Sequence, residues 1–104
     1  MADRAAGSQL SQRLLKMVGA LPLKDGMRVL EIGCGPGAMA REMSKRVDNG
    51  YVLAIDRSAK AIQQAMAGSQ PEMKTGRLAF KKVAIENFER NPDDTPFDLA
   101  LAVR

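Results

Sequence analysis

The apolar residues of this chain first follow helical spacing and then fall into short unbroken runs. From Ser8 onward, leucine, methionine and valine recur every three or four residues as far as Leu21, which predicts an amphipathic helix after a loose start over residues 1–7. Pro22 and the turn at residues 24–26 end that helix. The short apolar segment at residues 27–32 is predicted as the first strand.

Helix-like and strand-like segments alternate along the rest of the chain. Residues 51–55 are apolar without alternation, which is typical of a parallel strand covered on both faces. Ser58 is a suitable N-cap for the next helix, and the stretch from Gly68 to Pro71 is predicted to end it. The predicted elements are a helix at 38–47, a strand at 51–55, a helix at 59–67, a strand at 78–83, a short helix at 85–90, a loop at 91–96 and a strand at 97–103.

This alternation predicts an α/β fold. Strands that alternate with helices form parallel β-α-β units with right-handed crossovers, here a Rossmann-like, mostly parallel sheet in a three-layer αβα sandwich. Residues 1–26 are assigned to an N-terminal helix and lead-in, and residues 27–104 to a partial Rossmann-like domain. Because an apolar fourth strand left at a sheet edge promotes aggregation, we expect either that the chain is the first half of a larger sheet or that a homodimer covers this edge.

Composition narrows the chemistry that the chain can perform. Its 104 residues include no His and one Cys, which excludes His-based acid/base catalysis and internal disulfides and predicts no metal site. The net charge of +4 comes from scattered basic residues rather than a nucleic-acid-binding arm. The N-terminus lacks the apolar core of a signal peptide, and no segment is apolar enough to span a bilayer, so we predict a cytoplasmic location.

A glycine-rich turn after the first strand is the strongest candidate for a cofactor site. Gly33 and Gly35, followed by Ala38, fit the loose dinucleotide pattern G-x-G-x-x-A, while Glu31 and three alternating glycines ending at Gly37 fit E-x-G-x-G-x-G. A pyrophosphate prefers the positive helix end without a nearby carboxylate. S-adenosylmethionine has no phosphate and carries an ammonium and a sulfonium, so Glu31 favours the methyl donor, although a strand-end acid paired with a base is an equally good interpretation of Glu31 alone.

Asp56 supports a cofactor site at the same sheet edge. It closes the second predicted strand, 19 residues after Gly37. At the carboxyl end of a neighbouring strand, an acid can accept hydrogen bonds from both ribose hydroxyls. The alternative is a turn residue or a helix N-terminal acid, but the coincidence of strand end, spacing and glycine turn favours the functional role.

Three segments together resemble the class I S-adenosylmethionine-dependent methyltransferases: Val29-Leu-Glu-Ile-Gly-Cys-Gly-Pro-Gly37, Ala54-Ile-Asp-Arg-Ser58 and Phe97-Asp-Leu-Ala-Leu101. The resemblance covers about residues 27–103. It implies that the glycine turn lies under the methionine part of the cofactor, that the acid after the second strand holds the ribose, and that the end of the third strand lines the adenine pocket. The residues to which it assigns these contacts are Glu31, Gly33, Cys34, Gly35, Gly37, Asp56, Arg57, Ile85 and Glu86.

The chain departs from the family pattern at three points. Many relatives carry an acid where this chain has Ala84, so the hydrogen bond to the adenine amino group would fall to Glu86. Val103-Arg104 stands where amino-group methylating relatives have an Asn-Pro-Pro-aromatic motif, which argues against that subclass. The family's sheet has seven strands, and this chain supplies four.

The resemblance implies a methyltransferase that uses S-adenosyl-L-methionine. We expect a small-molecule acceptor, because no basic stripe is visible, with RNA and protein acceptors left open. No catalytic acid or base can be assigned, and Cys34 is interpreted as a small packing residue rather than a nucleophile because the chain has no His to activate it. The alternatives are an NAD-dependent oxidoreductase and an inactive cofactor-binding or interaction half-domain.

Overall fold

The computed structural model describes the backbone of residues 4–102 and the side chains of residues 12–102. Its elements are α1 (Arg4–Gly19), β1 (Arg28–Ile32), α2 (Ala38–Ser44), β2 (Tyr51–Asp56), α3 (Ala59–Ala67), α4 (Gln70–Lys74), β3 (Leu78–Lys82), a 3₁₀ turn (Ile85–Asn87) and β4 (Leu99–Ala102). None of the helices in this part of the chain combines the length and the apolar character needed to cross a bilayer.

The four strands form one parallel sheet in the order β3-β2-β1-β4. In register, Glu31 of β1 lies between Ala54 of β2 and Leu101 of β4. The predicted α/β class and the parallel β-α-β units are therefore confirmed. Because the strands are parallel, the loops that follow β1, β2 and β3 all leave the sheet at the same edge, where β4 also ends.

Helices α1, α2 and α3 pack against a single face of the sheet. Their buried side chains share one core with alternate residues of the strands, namely Val18, Met39, Ala40, Met43, Val47, Ile62, Val29, Val52, Ala54 and Leu78. On the other face, the guanidinium of Arg28 lies over the rings of Tyr51 and Phe97, and Phe97 contacts Phe88. Of the three predicted layers, the described residues form the sheet and one helical layer.

The ends of several elements differ from the sequence prediction. Helix α1 begins at Arg4, so part of the expected loose start is helical, consistent with the high helix propensity of Ala5 and Ala6. Helix α2 ends at Ser44, since Lys45 N–H bonds the carbonyl of Glu42 three residues back and thereby tightens the last turn. The helix predicted at 85–90 is a 3₁₀ turn, and β4 begins at Leu99 because Phe97 packs in the aromatic cluster. Residue 103 of the predicted strand lies outside the described residues.

Helix α4 has no counterpart among the elements predicted from the sequence. The prediction places Pro71 in a helix-ending segment, but it lies in the first turn of α4, where its missing N–H has no intrahelical partner to lose. The helix is five residues long, and Met73 packs against the main core. Ser69, at the junction with α3, is fully buried.

Candidate functional site

The glycine turn after β1 is held by hydrogen bonds from the neighbouring strand β2. The N–H groups of Gly33 and Cys34 both donate to the carbonyl of Ile55, at 2.9 and 3.0 Å. The N–H of Gly35 donates to Oδ2 of Asp56 at 2.9 Å. The first half of the turn therefore has a fixed shape relative to the end of β2.

The glycines of the turn have different structural roles. Gly33, Gly35 and Gly37 all have positive φ, at 74°, 55° and 89°, a region that other residues enter only with strain. A Cβ at Gly33 or Gly35 would meet nothing within 4 Å, whereas one at Gly37 would lie 3.0 Å from Ala65 and 3.1 Å from Phe80. Gly33 and Gly35 leave open space beside the backbone, while Gly37 allows α2 to pack closely against α3 and β3.

We expect Gly37→Ala to lower the free energy of unfolding by about 3 kcal/mol, because backbone strain adds to overpacking against Ala65 and Phe80. Gly35→Ala is the matched control, since it meets strain without a clash and should lose only about 1 kcal/mol. Urea unfolding of both variants measures the difference. Equal losses would show that the contact between Gly37 and Phe80 is not what requires the glycine.

Asp56 connects the glycine turn to helix α3. While Oδ2 accepts the Gly35 N–H, Oδ1 accepts the N–H of Ser58 at 2.9 Å. The hydroxyl of Ser58 in turn accepts the N–H of Ala61 at 3.1 Å, which confirms Ser58 as the N-cap. A carboxylate oxygen can accept two hydrogen bonds, so each oxygen of Asp56 retains capacity for a ligand hydroxyl.

Glu31 is a buried acid with an unsatisfied oxygen. Its side chain is 3% exposed, and Oε1 accepts no hydrogen bond from the described residues. Burial, together with the charge of Asp56, raises the pKa of Glu31 to about 7. Within the part of the chain that the structure describes, Glu31 is paired with no base, so the interpretation of Glu31 as a paired acid is wrong there. A cation placed beside Oε1 would offset the cost of burying the carboxylate.

Cys34 has the properties of a packing residue. It is 7% exposed, and burial, followed by the charges of Glu31 and Asp56, raises the pKa of its thiol to about 12. A thiol with so high a pKa carries almost no thiolate at neutral pH, and the thiolate is the reactive form. The surroundings of Cys34 therefore agree with the sequence interpretation that it is not a nucleophile.

A cavity of about 470 Å³ opens where the strands end. This volume falls within the range typical of small-molecule sites. Five of the predicted site residues line it: Gly33, Asp56, Arg57, Ile85 and Glu86. The other four do not line it and belong to β1 and the glycine turn: Glu31, Cys34, Gly35 and Gly37.

The cavity also has walls that the sequence analysis did not assign. Ile32, Ile55, Val83 and Ala102 line it as the residues at or next to the ends of the four strands. The signal that could have found them is the parallel order itself, since the carboxyl ends of adjacent strands meet at one edge. Ile85 is 45% exposed and gives the cavity an apolar surface beside the acids Asp56 and Glu86.

A parallel sheet with a glycine turn after β1, an acid ending β2 and a cavity between them defines a Rossmann-like domain of the kind that binds a nucleoside-containing cofactor. The sequence model of the methyltransferase domain family matches residues 23–103. The chain therefore belongs to the methyltransferase domain family, and the resemblance found in its sequence is confirmed.

Individual relatives agree with this assignment. The chain is 29% identical over 99 residues to the probable cobalt-precorrin-6B C(15)-methyltransferase of Thermoplasma acidophilum. This match covers 92% of this chain and 48% of that protein. It is 34% identical over 67 residues to trans-aconitate 2-methyltransferase of Streptomyces avermitilis, covering 64% of this chain and 24% of that protein. The chain thus spans less than half the length of these curated relatives.

A solved methyltransferase structure has a similar fold. The S-adenosylmethionine-dependent methyltransferase from Geobacter sulfurreducens, crystallised with S-adenosyl-L-homocysteine, superimposes with a TM-score of 0.70 at 25% identity. The match covers 88% of this chain and 35% of that protein.

Proposed function

We propose that this chain is the S-adenosyl-L-methionine-binding part of a methyltransferase that acts on a small-molecule acceptor. The observation that carries the proposal is buried Glu31, whose Oε1 accepts no hydrogen bond within the described part of the chain. Glu31 lies two residues before the glycine turn and close enough to Asp56 for their charges to interact. Methyl transfer is the activity of the family to which the chain belongs.

The charges of the site fit a cationic ligand better than a diphosphate. An ammonium near Glu31 would supply the missing hydrogen-bond donor and favour the ionised carboxylate. A pyrophosphate on the same turn would face the carboxylates of Glu31 and Asp56. Residues 33–37 include no basic residue, and the Arg41 guanidinium that contacts the turn already donates to the carbonyl of Pro36 and the hydroxyl of Ser69. This difference favours the methyl donor over NAD.

The roles of the nine predicted residues follow from this placement. We assign Glu31 to the amino-acid end of the cofactor, the turn with Gly33, Cys34 and Gly35 to the methionine part, and Asp56 to the ribose hydroxyls. Gly37 acts through packing, since its Cα faces Ala65 and Phe80. The adenine end is assigned to Arg57, Ile85 and Glu86. Arg57 can stack its flat guanidinium on the base. Glu86 can accept a hydrogen bond from the adenine amino group, the role of the acid that many relatives have where this chain has Ala84.

The chain's own residues position and shield the cofactor. When bound, S-adenosyl-L-methionine supplies an electrophilic methyl group on a sulfonium, whose transfer to a nucleophile leaves S-adenosyl-L-homocysteine. The glycine turn and Asp56 would hold the methionine part and the ribose of the cofactor, and Ile32, Ile55 and Ile85 give the cavity an apolar surface. No described side chain is assigned as an acid or base.

The acceptor is proposed from the relatives. Their names describe small acceptors, trans-aconitate in one and a cobalt-precorrin in the other. RNA and protein acceptors stay as alternatives. The cytoplasmic location also stays a prediction, as does a homodimer across β4, which lies at the edge of the described sheet and carries exposed Ala100 and Ala102.

Calorimetric titration of the chain with S-adenosyl-L-homocysteine and, separately, with NADH tests the choice of cofactor. We expect micromolar affinity for S-adenosyl-L-homocysteine and no measurable heat with NADH, because only the former presents a cation to Glu31. Tight NADH binding, or no binding of S-adenosyl-L-homocysteine, would overturn the proposal. Adenosine is a useful control, because it lacks the amino-acid end of the cofactor and should bind weakly, through Asp56 and the adenine end without Glu31.

A further inference from the structure

Arg41 contacts the second half of the glycine turn. It lies in helix α2, and its Nη1 donates to the carbonyl of Pro36 at 3.0 Å and to the hydroxyl of Ser69 at 2.9 Å. Its backbone N–H donates to the carbonyl of Gly37 at 3.0 Å. One residue therefore bonds two successive carbonyls in the second half of the turn.

Ser69 gives the Arg41 side chain a fixed point. Its side chain is fully buried at the α3–α4 junction, and its carbonyl accepts the N–H of Met73 at 2.9 Å. Gly68 provides the space for this contact, since a Cβ there would lie 3.3 Å from Nη1 of Arg41. The guanidinium thus connects the turn to a rigid part of the protein 28 residues further along the chain.

The two halves of the turn are fixed by different neighbours. Ile55 and Asp56 hold its first three N–H groups, while the Arg41 side chain holds the carbonyl of Pro36 between Gly35 and Gly37. Without the Arg41 contact, the peptide that follows Pro36 would keep only the hydrogen bond from the Gly37 N–H to the carbonyl of Cys34, at 3.1 Å. The glycine on its carboxyl side makes a change in the orientation of this peptide easier than another residue would.

We propose that Arg41, acting with Ser69, is a positioning residue that holds the glycine turn in its cofactor-binding shape. The inference rests on the proposed function, in which the turn binds the methionine part of S-adenosyl-L-methionine. Arg41 does not line the cavity, so it acts through the backbone of the turn. Residues that orient metal ligands through hydrogen bonds typically change metal affinity by about 10- to 100-fold when they are replaced, and we expect a loss near the lower end of that range here.

The test measures the Kd for S-adenosyl-L-homocysteine in Arg41→Met, Ser69→Ala and the double variant. We expect Arg41→Met, which keeps the aliphatic chain but removes the donors, to weaken binding by about 10-fold and Ser69→Ala by about 3-fold. The double variant should bind no more weakly than Arg41→Met, because the two residues act through one contact. Arg46→Met, an exposed arginine just past the end of the same helix, should leave the Kd unchanged.

A second control separates positioning from general loss of stability. Val18→Ala removes a buried side chain of α1, far from the turn in sequence, and should lower the unfolding temperature without changing the Kd measured well below it. Arg41→Lys keeps a hydrogen-bond donor and should therefore bind more tightly than Arg41→Met. If Arg41→Met does not fold, the affinities of Arg41→Lys and Ser69→Ala test the positioning role instead.

The outcomes distinguish this inference from the proposed function. Wild-type affinity in Arg41→Met, or independent additive losses in the double variant, would overturn the positioning role alone. Failure of the wild-type chain to bind S-adenosyl-L-homocysteine would overturn the proposed function and the positioning role with it.

Discussion

Asp56→Ala is expected to weaken the binding of S-adenosyl-L-homocysteine by at least about 100-fold. The substitution removes a charged acceptor for two ribose hydroxyls, and hydrogen bonds to charged groups contribute about 1.5–3 kcal/mol each. It also frees the N–H groups of Gly35 and Ser58, so the turn and the start of α3 lose a common partner. Calorimetry on the purified variant gives the affinity directly.

Two controls make the Asp56 result interpretable. Asp93→Ala removes an exposed acid in the loop before β4 and should leave the affinity unchanged. Asp56→Asn keeps the shape of the side chain but turns an amide N–H₂ toward one of the two backbone donors, so we expect an intermediate to large loss. An affinity within 3-fold of wild type in Asp56→Ala would contradict the ribose assignment.

Glu31→Gln is expected to remove most of the pH dependence of stability between pH 5 and 8. The pKa of Glu31 is raised from 4.5 to about 7, so the folded chain holds this proton more tightly than the unfolded chain does. The resulting stabilisation is fully present below pH 4.5 and is lost as the pH rises through 7. A shift of this size corresponds to about 3 kcal/mol, which is the drop expected in the free energy of unfolding of the wild-type chain.

Denaturant unfolding at a series of pH values measures this effect. The slope against pH is the diagnostic quantity, because the buried glutamine amide will add a constant cost to the variant at every pH. Glu89→Gln, at an exposed position, should retain the wild-type slope. A Glu31→Gln variant with the same slope as wild type would show that another group titrates in this range.

Ligand binding should show the opposite dependence on pH. A cofactor ammonium favours ionised Glu31, so the affinity of wild-type protein for S-adenosyl-L-homocysteine should rise from pH 5.5 to pH 8, with a proton released on binding. Glu31→Gln should bind weakly at every pH. Calorimetry in two buffers of different ionisation enthalpy measures the released proton, and a flat wild-type profile would contradict a cation beside Glu31.

The sequence was sufficient to predict the sheet and the position of the glycine turn after β1. Apolar runs without alternation mark parallel strands, and alternating glycines directly after the first of them are typical of a cofactor-binding turn. Helix α3 was predicted with its observed bounds, because Ser58 gives its start and Gly68 its end. Asp56 could be placed beside the turn because it ends the second strand, and the carboxyl ends of parallel strands lie at the same edge of the sheet.

The features that could not be predicted depend on contacts distant in sequence or on ambiguous local signals. Pro71 is compatible with both the end of one helix and the first turn of another, and only packing decides between them. The contact between Arg41 and Ser69 and the packing of Phe80 against Gly37 require the folded arrangement of α2, α3 and β3. The burial of Glu31 without a partner likewise has no signature in the pattern of residues.

The residues assigned to the cofactor all lie between Glu31 and Glu86, on consecutive strands and the loops that follow them. A donor site encoded in one uninterrupted stretch can be inherited as a unit while the remainder of a protein diverges. Relatives named for acceptors as different as a cobalt-precorrin and trans-aconitate are 29% and 34% identical to this chain. A contiguous donor segment of this kind therefore accompanies different acceptors in different relatives.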